Sequence, residues 1–248
     1  MAKLIAGTKT IECRLVIFDK NGTLIDQNLL LLDLAKARQK SVKKYGGENT
    51  AALWERIVGT NIEQNKIDHG GPLATAPRRE EILIAATTFY LNGFQWSEAK
   101  QLVQRAYDEA DDSMEPPYGS VLLENVTTML ELLKRHGLKL AIASTDTHER
   151  TGQSFETLEI ASFFDAIIGS DEVANTKPSP DMIFEILRKT GLKPDEVVMV
   201  GDSASDMHMG KNAKLKACIG VLTGFTKKET LEQLADVVIS SAADIRAV

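Results

Sequence analysis

The segment LVIFDKNGTL, residues 15–24, gives the clearest indication of the fold class. It joins an apolar run of four residues to a polar turn that contains Gly22. A short, continuous apolar run of this kind is typical of a strand that is buried on both faces of a parallel sheet. Ligands bind at the carboxyl ends of the strands in such sheets, so Asp19, the first residue after the run, is a candidate functional residue.

Five further runs along the chain share this character. They are LKLAIA (138–143), AIIG (166–169), VVMV (197–200), ACIGV (217–221) and VVI (237–239). Helical patterns lie between them at 122–133, 180–190 and 228–234. This alternation predicts an α/β fold with a doubly wound, mostly parallel, Rossmann-like sheet. Residues 3–14 give a weaker signal, for an additional antiparallel edge strand that turns at Gly7.

Residues 28–115 interrupt the alternation, because no strand is predicted there. Four helical windows follow one another, at 29–45, 51–67, 79–91 and 98–111, and they are separated by glycine- or proline-containing breaks. We therefore predict a four-helix cap domain at 28–115, inserted into an α/β core that is formed by 1–27 and 116–248.

Composition excludes several classes of protein. With 248 residues, 43% of them apolar and 26% charged, the chain is typical of a globular protein that can bury a large core. Every apolar run, including the leucines at 29–32, is far shorter than the ~18 residues of a membrane span. A net charge of −6 without a basic run argues against a nucleic-acid partner. The two cysteines match neither a zinc site nor a disulfide framework, which favours a reducing, cytoplasmic compartment.

Polar residues follow several of the predicted strands and converge on one edge of the sheet. They are Asp19, Ser144, Asp202 and Asp206, and Lys177, which precedes a predicted helix, adds a positive charge. Carboxylates gathered in one crevice repel each other, and a bound Mg²⁺, which prefers oxygen ligands, removes that repulsion. The lysine and the serine hydroxyl can hold the oxygens of a phosphoryl group, and an aspartate beside a metal ion and a cation is a competent nucleophile for phosphorus. The set predicts phosphoryl transfer through an aspartyl-phosphate.

Four motifs in the chain resemble those of a known superfamily. FDKNGTL (18–24), the Ser144 strand end, Lys177 and GDSASD (201–206), in this order, resemble the motifs of the haloacid dehalogenase phosphohydrolases. The resemblance covers essentially the whole chain. It is greatest to the branch that contains phosphoglycolate phosphatases and β-phosphoglucomutases, whose helical cap is inserted after the first motif.

The resemblance implies a role for each matching residue. Asp19 would be the nucleophile and a Mg²⁺ ligand, and Asp202 the other carboxylate ligand. Asp206 would contact the metal ion through water or through another ligand. The phosphoryl oxygens would be held by Ser144, the Thr145 amide and Lys177. The substrate would be a small phosphorylated metabolite, similar to phosphoglycolate or a sugar phosphate.

Asn21 departs from the family pattern. Phosphatases of this family carry a second aspartate at that position, which serves as the general acid and base. The backbone carbonyl of Asn21 can still bind Mg²⁺, but its side-chain amide carries no titratable proton. We interpret Asn21 as a substitution that impairs an otherwise intact phosphatase, because every other motif is present. The alternative is a phosphate-binding regulatory module in which catalysis has been lost.

Two other functions are disfavoured by the sequence. A carbon–halogen hydrolase of the same superfamily needs no metal ion, and the presence of Asp202 argues against it. The segment DKNGT (19–23) also resembles the phosphorylation loop of ion-pumping ATPases, but the sequence contains no membrane span. The expected function is therefore that of a Mg²⁺-dependent phosphatase in the cytoplasm.

Overall fold

The structure, a computed structural model, describes residues 2–114 and 121–248. The predicted boundary between cap and core at 115–116 lies outside these residues. The chain divides into two compact units, which we call the core unit (Met1–Gln27 with Ser120–Val248) and the inserted unit (Asn28–Gly119).

The elements follow one another in this order. The core unit begins with β1 (Ala2–Ala6), β2 (Lys9–Cys13) and β3 (Leu15–Phe18). The inserted unit follows with α1 (Gln27–Val58), β4 (Thr60–Asn61), β5 (Lys66–Ile67), α2 (Pro72–Thr75), α3 (Arg78–Leu91) and α4 (Trp96–Ser113). The core unit resumes with α5 (Val126–Arg135), β6 (Lys139–Ala143), α6 (His148–Thr157), β7 (Ala166–Ile168), α7 (Asp181–Thr190), β8 (Val197–Gly201), α8 (Ala204–Asn212), β9 (Ala217–Val221), α9 (Lys228–Leu234), β10 (Val237–Ile239) and β11 (Arg246–Ala247).

The core unit is built on a six-stranded sheet in the order β10-β9-β8-β3-β6-β7. Every pairing in it is parallel, which confirms the predicted fold class. Strand β3 is central, and its residues alternate between two apolar clusters: Val16 and Phe18 lie in one, Leu15 and Ile17 in the other. Both faces of the sheet are therefore covered, and this is why the strand sequences are continuously apolar.

The first residues of the chain form a hairpin rather than an extra strand of the main sheet. Strands β1 and β2 pair in antiparallel fashion around Gly7, whose φ is 56°, as the weak sequence signal indicated. The expectation of an edge strand is corrected, however, because the hairpin joins β11 in a separate three-stranded sheet. Its buried residues Leu4, Ile11 and Cys13 pack against one apolar cluster of the core unit.

The inserted unit differs from the prediction between residues 59 and 75. The helical window at 51–67 is too long, because α1 ends at Val58 and Gly59 takes a left-handed conformation with φ 83°. Strands β4 and β5 then form a short antiparallel hairpin, so the expectation of no strand in this region is wrong. A one-turn helix, α2, follows. The predicted break at 46–47 is present as a kink in α1 at Gly47.

A buried ion pair lies within the inserted unit. One guanidinium nitrogen of Arg38 donates to both carboxylate oxygens of Glu81, at 2.9 and 2.8 Å. Both side chains are about one-twentieth exposed, and the Tyr107 ring lies 4.5 Å from the guanidinium carbon. Burial raises the pKa of Glu81, although the charge of Arg38 opposes the shift. Across the two described ranges, no helix is both long and apolar enough to cross a membrane.

Candidate active site

The carboxyl ends of the central strands form one edge of the core unit, and a cavity of about 220 Å³ lies there. Its walls include all seven predicted site residues: Asp19, Asn21, Ser144, Thr145, Lys177, Asp202 and Asp206. Asp19 is held at the end of β3 by its backbone N–H, which donates to the carbonyl of Val200 in β8 at 2.9 Å. The parallel topology therefore brings these residues together, while their chemical roles remain predictions.

Lys177 lies between two carboxylates. Its Nζ is 2.5 Å from Oδ1 of Asp19 and 2.7 Å from Oδ1 of Asp206, and its side chain is 3% exposed. Burial alone would lower the pKa of Lys177, but the two adjacent carboxylates raise it above its ordinary value. The lysine is therefore a fixed positive charge at this edge.

Three carboxylates form a compact acidic cluster. One oxygen from each of Asp19, Asp202 and Asp206 lies within 4.8 Å of the others. Burial raises the pKa of Asp19 to about 6; Lys177 opposes the shift and Asp206 adds to it. Burial likewise raises the pKa of Asp202 well above its ordinary value, and the charges of Asp19 and Asp206 add to the effect. Burial thus disfavours the ionised forms of Asp19 and Asp202, and one lysine does not reverse the effect.

These residues fit a hard divalent cation. The cluster offers only oxygen donors, which suit Mg²⁺ better than a metal that prefers nitrogen or sulfur. The raised carboxyl pKa values also favour a bound divalent ion, because such an ion would stabilise the ionised forms that burial disfavours. The ligands that the structure offers are Asp19 and Asp202, with Asp206 beside them.

Asp206 also has a structural role, which the sequence could suggest from its place in the first turn of a helix. Its Oδ2 accepts hydrogen bonds from the backbone N–H of Ser203 at 3.1 Å and from the Ser203 hydroxyl at 2.6 Å. The Ser203 hydroxyl in turn accepts from the N–H of Asp206 at 3.2 Å, so the two residues cap α8 reciprocally. The cap leaves Oδ1 of Asp206 directed to Lys177.

Asn21 contacts a charged pair that sequence reasoning did not assign to the site. Its Nδ2 donates to Oδ2 of Asp146 at 3.5 Å, and the same oxygen accepts from Nζ of Lys20 at 2.7 Å. Lys20 is 5% exposed. The Oδ1 of Asn21 is buried and has no hydrogen-bond partner among the described residues. In the sequence, Lys20 and Asp146 are marked only as neighbours of predicted site residues, since Lys20 precedes Asn21 and Asp146 follows Thr145.

Thr23 is a second residue that the sequence analysis did not assign to the site, although it lies in the segment 15–24. It is fully buried, and its hydroxyl is 3.4 Å from Oδ2 of Asp19 and 3.4 Å from Oδ1 of Asp202. A single hydroxyl donor is thus shared between the two carboxylates that are expected to bind the metal ion. The Gly22 turn, with φ 82°, places Thr23 there.

Ser144 and Thr145 lie where β6 ends. The backbone N–H of Ser144 donates to the carbonyl of Ile168 at 3.0 Å, and its hydroxyl accepts from the N–H of Asp146 at 3.1 Å. Ser144 is therefore buried and fixed, whereas Thr145 is exposed at the cavity.

Comparison with known proteins agrees with this geometry. The family model of haloacid dehalogenase-like hydrolases matches residues 16–221. The phosphoglycolate phosphatase of Aquifex aeolicus (strain VF5) is 29% identical over 245 residues, which are 94% of each chain. The phosphoglycolate phosphatase of Escherichia coli (strain K12) is 26% identical over 245 residues, 94% of this chain and 91% of that one.

Solved structures share the fold. A protein from Thermotoga maritima that is assigned as a β-phosphoglucomutase superposes with a TM-score of 0.68 at 23% identity, over 93% of this chain and 95% of that one. A predicted phosphoglycolate phosphatase from Haemophilus somnus 129pt superposes with a TM-score of 0.66 at 20% identity, over 94% and 96%. The predicted resemblance to this branch is confirmed.

Proposed function

The chain belongs to the haloacid dehalogenase-like hydrolase family, and we propose that it is a Mg²⁺-dependent phosphatase that hydrolyses a small phosphomonoester through an aspartyl-phosphate on Asp19. The observation that supports this most directly is the position of Asp19, which stands at the end of β3 with Lys177 at 2.5 Å and the acidic cluster beside it. Its phosphoglycolate phosphatase relatives favour a substrate similar to phosphoglycolate or a sugar phosphate.

The proposed reaction has two steps. In the first, a carboxylate oxygen of Asp19 bonds to phosphorus and the ester P–O bond breaks, so that the alcohol leaves with a proton taken from solvent. In the second, water attacks the phosphorus of the aspartyl-phosphate, which frees the Asp19 carboxylate and releases phosphate and a proton. Each step needs the phosphoryl oxygens to be held in place.

The residues at the carboxyl edge of the sheet have different proposed roles in this reaction. Ser144, the Thr145 amide and Lys177 hold the phosphoryl oxygens, and Asp206 fixes Lys177. Mg²⁺ would be held by Asp19, the Asn21 carbonyl and Asp202, with Asp206 close by, and when bound it supplies positive charge at the phosphoryl oxygens.

Asn21 limits the rate of this reaction. The amide carries no proton that it can give to the leaving alcohol or take from the attacking water. Its contact with Asp146 does hold the side chain in place, and the buried Oδ1 is an acceptor that can orient a water molecule. We therefore infer a phosphatase that binds its ester and metal ion well and turns over slowly.

The inserted unit supports a further part of the proposal. We propose that 28–115 is a cap domain that governs substrate choice, and that 1–27 with 116–248 is the catalytic core.

We also place the protein in the cytoplasm, because its two cysteines are buried and free.

The test is phosphate release from a panel of phosphomonoesters that includes phosphoglycolate and hexose phosphates, with Mg²⁺ or with EDTA. We expect slow release that requires Mg²⁺ and is abolished by Asp19→Asn, which preserves the shape of the nucleophile. The matched control is Asp195→Asn, an exposed aspartate before the amino end of β8, which should leave the rate unchanged. If neither this chain nor its Asn21→Asp variant releases phosphate from any ester, the phosphatase is refuted in favour of the phosphate-binding regulatory module.

A further inference from the structure

The loop that follows β9 reaches the same edge of the sheet, although no motif in the sequence marks it. Its first residue, Leu222, donates its backbone N–H to the carbonyl of Ile239 in β10 at 3.1 Å. The next residue, Thr223, donates its hydroxyl to the carbonyl of Gly22 at 2.5 Å. The turn that follows Asp19 is therefore tied to a loop about two hundred residues further along the chain.

The carboxylate of Asp202 lies between two glycines, one from each of these loops. A Cβ added to Gly22 would be 2.8 Å from both Cγ and Oδ2 of Asp202. A Cβ added to Gly224 would overlap the same carboxylate and would lie 2.5 Å from the Cβ of Asp202. Both backbones approach the carboxylate more closely than any residue with a side chain could, and this leaves the carboxylate little freedom to rotate.

We propose that Thr223 and Gly224 are positioning residues of the metal site. Gly224 closes one side of the Asp202 carboxylate, and Thr223 fixes the Gly22 turn that closes the other side. Together they hold Asp202 in the orientation in which it binds Mg²⁺. Partners that orient a ligand in this way are worth about 10- to 100-fold in metal affinity in other proteins. The inference rests on the proposed function, because it assumes that Asp202 is a metal ligand.

The two glycines differ in a way that makes Gly224 the better probe. Gly22 has φ 82°, so any side chain there strains the backbone as well as meeting Asp202. The φ of Gly224 lies outside the left-handed region, and the three atoms nearest to an added Cβ all belong to Asp202, so Gly224→Ala acts chiefly through that contact. Gly152 in α6 is a matched control, since an added Cβ there meets no described atom within 4 Å.

The experiment is calorimetric titration of the metal-free chain with Mg²⁺, beside thermal unfolding of each variant. We expect Gly224→Ala and Thr223→Val to raise the dissociation constant about 10- to 100-fold, while Gly152→Ala leaves it unchanged. Thr223→Ser keeps the hydroxyl and should restore most of the affinity, which a purely structural role of the methyl group would not predict. If Gly224→Ala does not fold, the comparison of Thr223→Val with Thr223→Ser tests the proposal.

Two results would overturn the inference, and they can be told apart. If Thr223→Val binds Mg²⁺ as tightly as the unaltered chain while Asp202→Ala does not bind it, the positioning role is wrong and the metal site stands. If the unaltered chain itself does not bind Mg²⁺, the metal-dependent function fails, and this inference fails with it.

Discussion

Asn21→Asp is the substitution that tests the chemistry of this site most sharply. It exchanges an amide for a carboxyl group of the same shape at the position where the family carries its general acid and base. A positioned acid–base group contributes about 10²- to 10⁴-fold in rate. At 1.36 kcal/mol for each tenfold change, this is roughly 3 to 5.5 kcal/mol of barrier. We expect kcat to rise by about two orders of magnitude or more and KM to change little.

The surroundings of Asn21 favour this role for a new carboxyl group. Its Nδ2 is 3.5 Å from Oδ2 of Asp146, so the introduced oxygen would face a like charge at that distance. Two full charges at 3.5 Å repel by about 5 kcal/mol at an effective dielectric of about 20. Solvent at the partly exposed Asp146 and the charge of Lys20, 2.7 Å from the same oxygen, offset much of this repulsion. The remainder keeps the introduced carboxyl group protonated to higher pH, as an acid catalyst requires.

The assay is initial-rate kinetics on the best ester of the panel, over a range of pH and with saturating Mg²⁺. The Asn21→Asp variant should gain a new alkaline limb in its pH–rate profile, because the rate falls as pH rises through the pKa of the introduced acid. In that background Asp146→Asn should move the limb to lower pH, because a like charge is removed, and Asp19→Asn should abolish turnover. An unchanged kcat for every ester, or a gain confined to KM, would refute the acid–base reasoning.

Two further predictions concern stability. The native pKa of Asp19, about 6, lies above its ordinary value of 3.8, so its contribution to stability is complete at low pH and is lost as pH rises from about 4 through about 6. Thermal unfolding in EDTA should show this decline, and Mg²⁺ should stabilise increasingly as pH rises. Asp19→Asn should make the decline shallower without removing it, because the pKa of Asp202 is raised as well; a decline as steep in the variant would contradict the prediction. In the inserted unit, Glu81→Ala removes the closer carboxylate from the buried Arg38, which keeps a contact to Asp111 at 3.8 Å, and should lower the free energy of unfolding by up to about 3–5 kcal/mol in urea titrations. Replacing both residues by apolar ones should cost less, and equal losses would argue against the ion pair as the cause.

The main sheet could be predicted because each of its strands carries its own signal. A strand that is covered on both faces must be apolar at every position, and short continuous runs therefore mark all six strands of the sheet without knowledge of their neighbours. Asp19, Ser144 and Asp202 follow from the same topology, since the polar residues after these runs lie at the shared carboxyl edge. The roles of Asn21 and Thr145 at the site rest on the family resemblance.

The errors arise where structure depends on distant partners or on a single backbone conformation. Strand β1 pairs with β11 near the other end of the chain, and a two-residue strand has no periodicity to detect. The helix predicted at 51–67 continues the apolar pattern past Gly59, whose left-handed conformation ends the helix and allows the β4–β5 hairpin. Hydrophobic periodicity reports which residues are buried and does not report where the backbone turns.

For Lys177, the role predicted from the sequence and the contacts in the structure can be compared directly. The family resemblance assigns it to the phosphoryl oxygens, whereas its Nζ here contacts Asp19 and Asp206. The two descriptions are compatible, because an ammonium group has three hydrogens and two of them satisfy the carboxylates. Its single positive charge is nevertheless shared among several negative groups. Burial raises the pKa of Asp19 and Asp202, and the neighbouring carboxylates add to the shift although Lys177 opposes it. A motif names the residues of the site, but only their distances show that one ammonium group contacts two carboxylates.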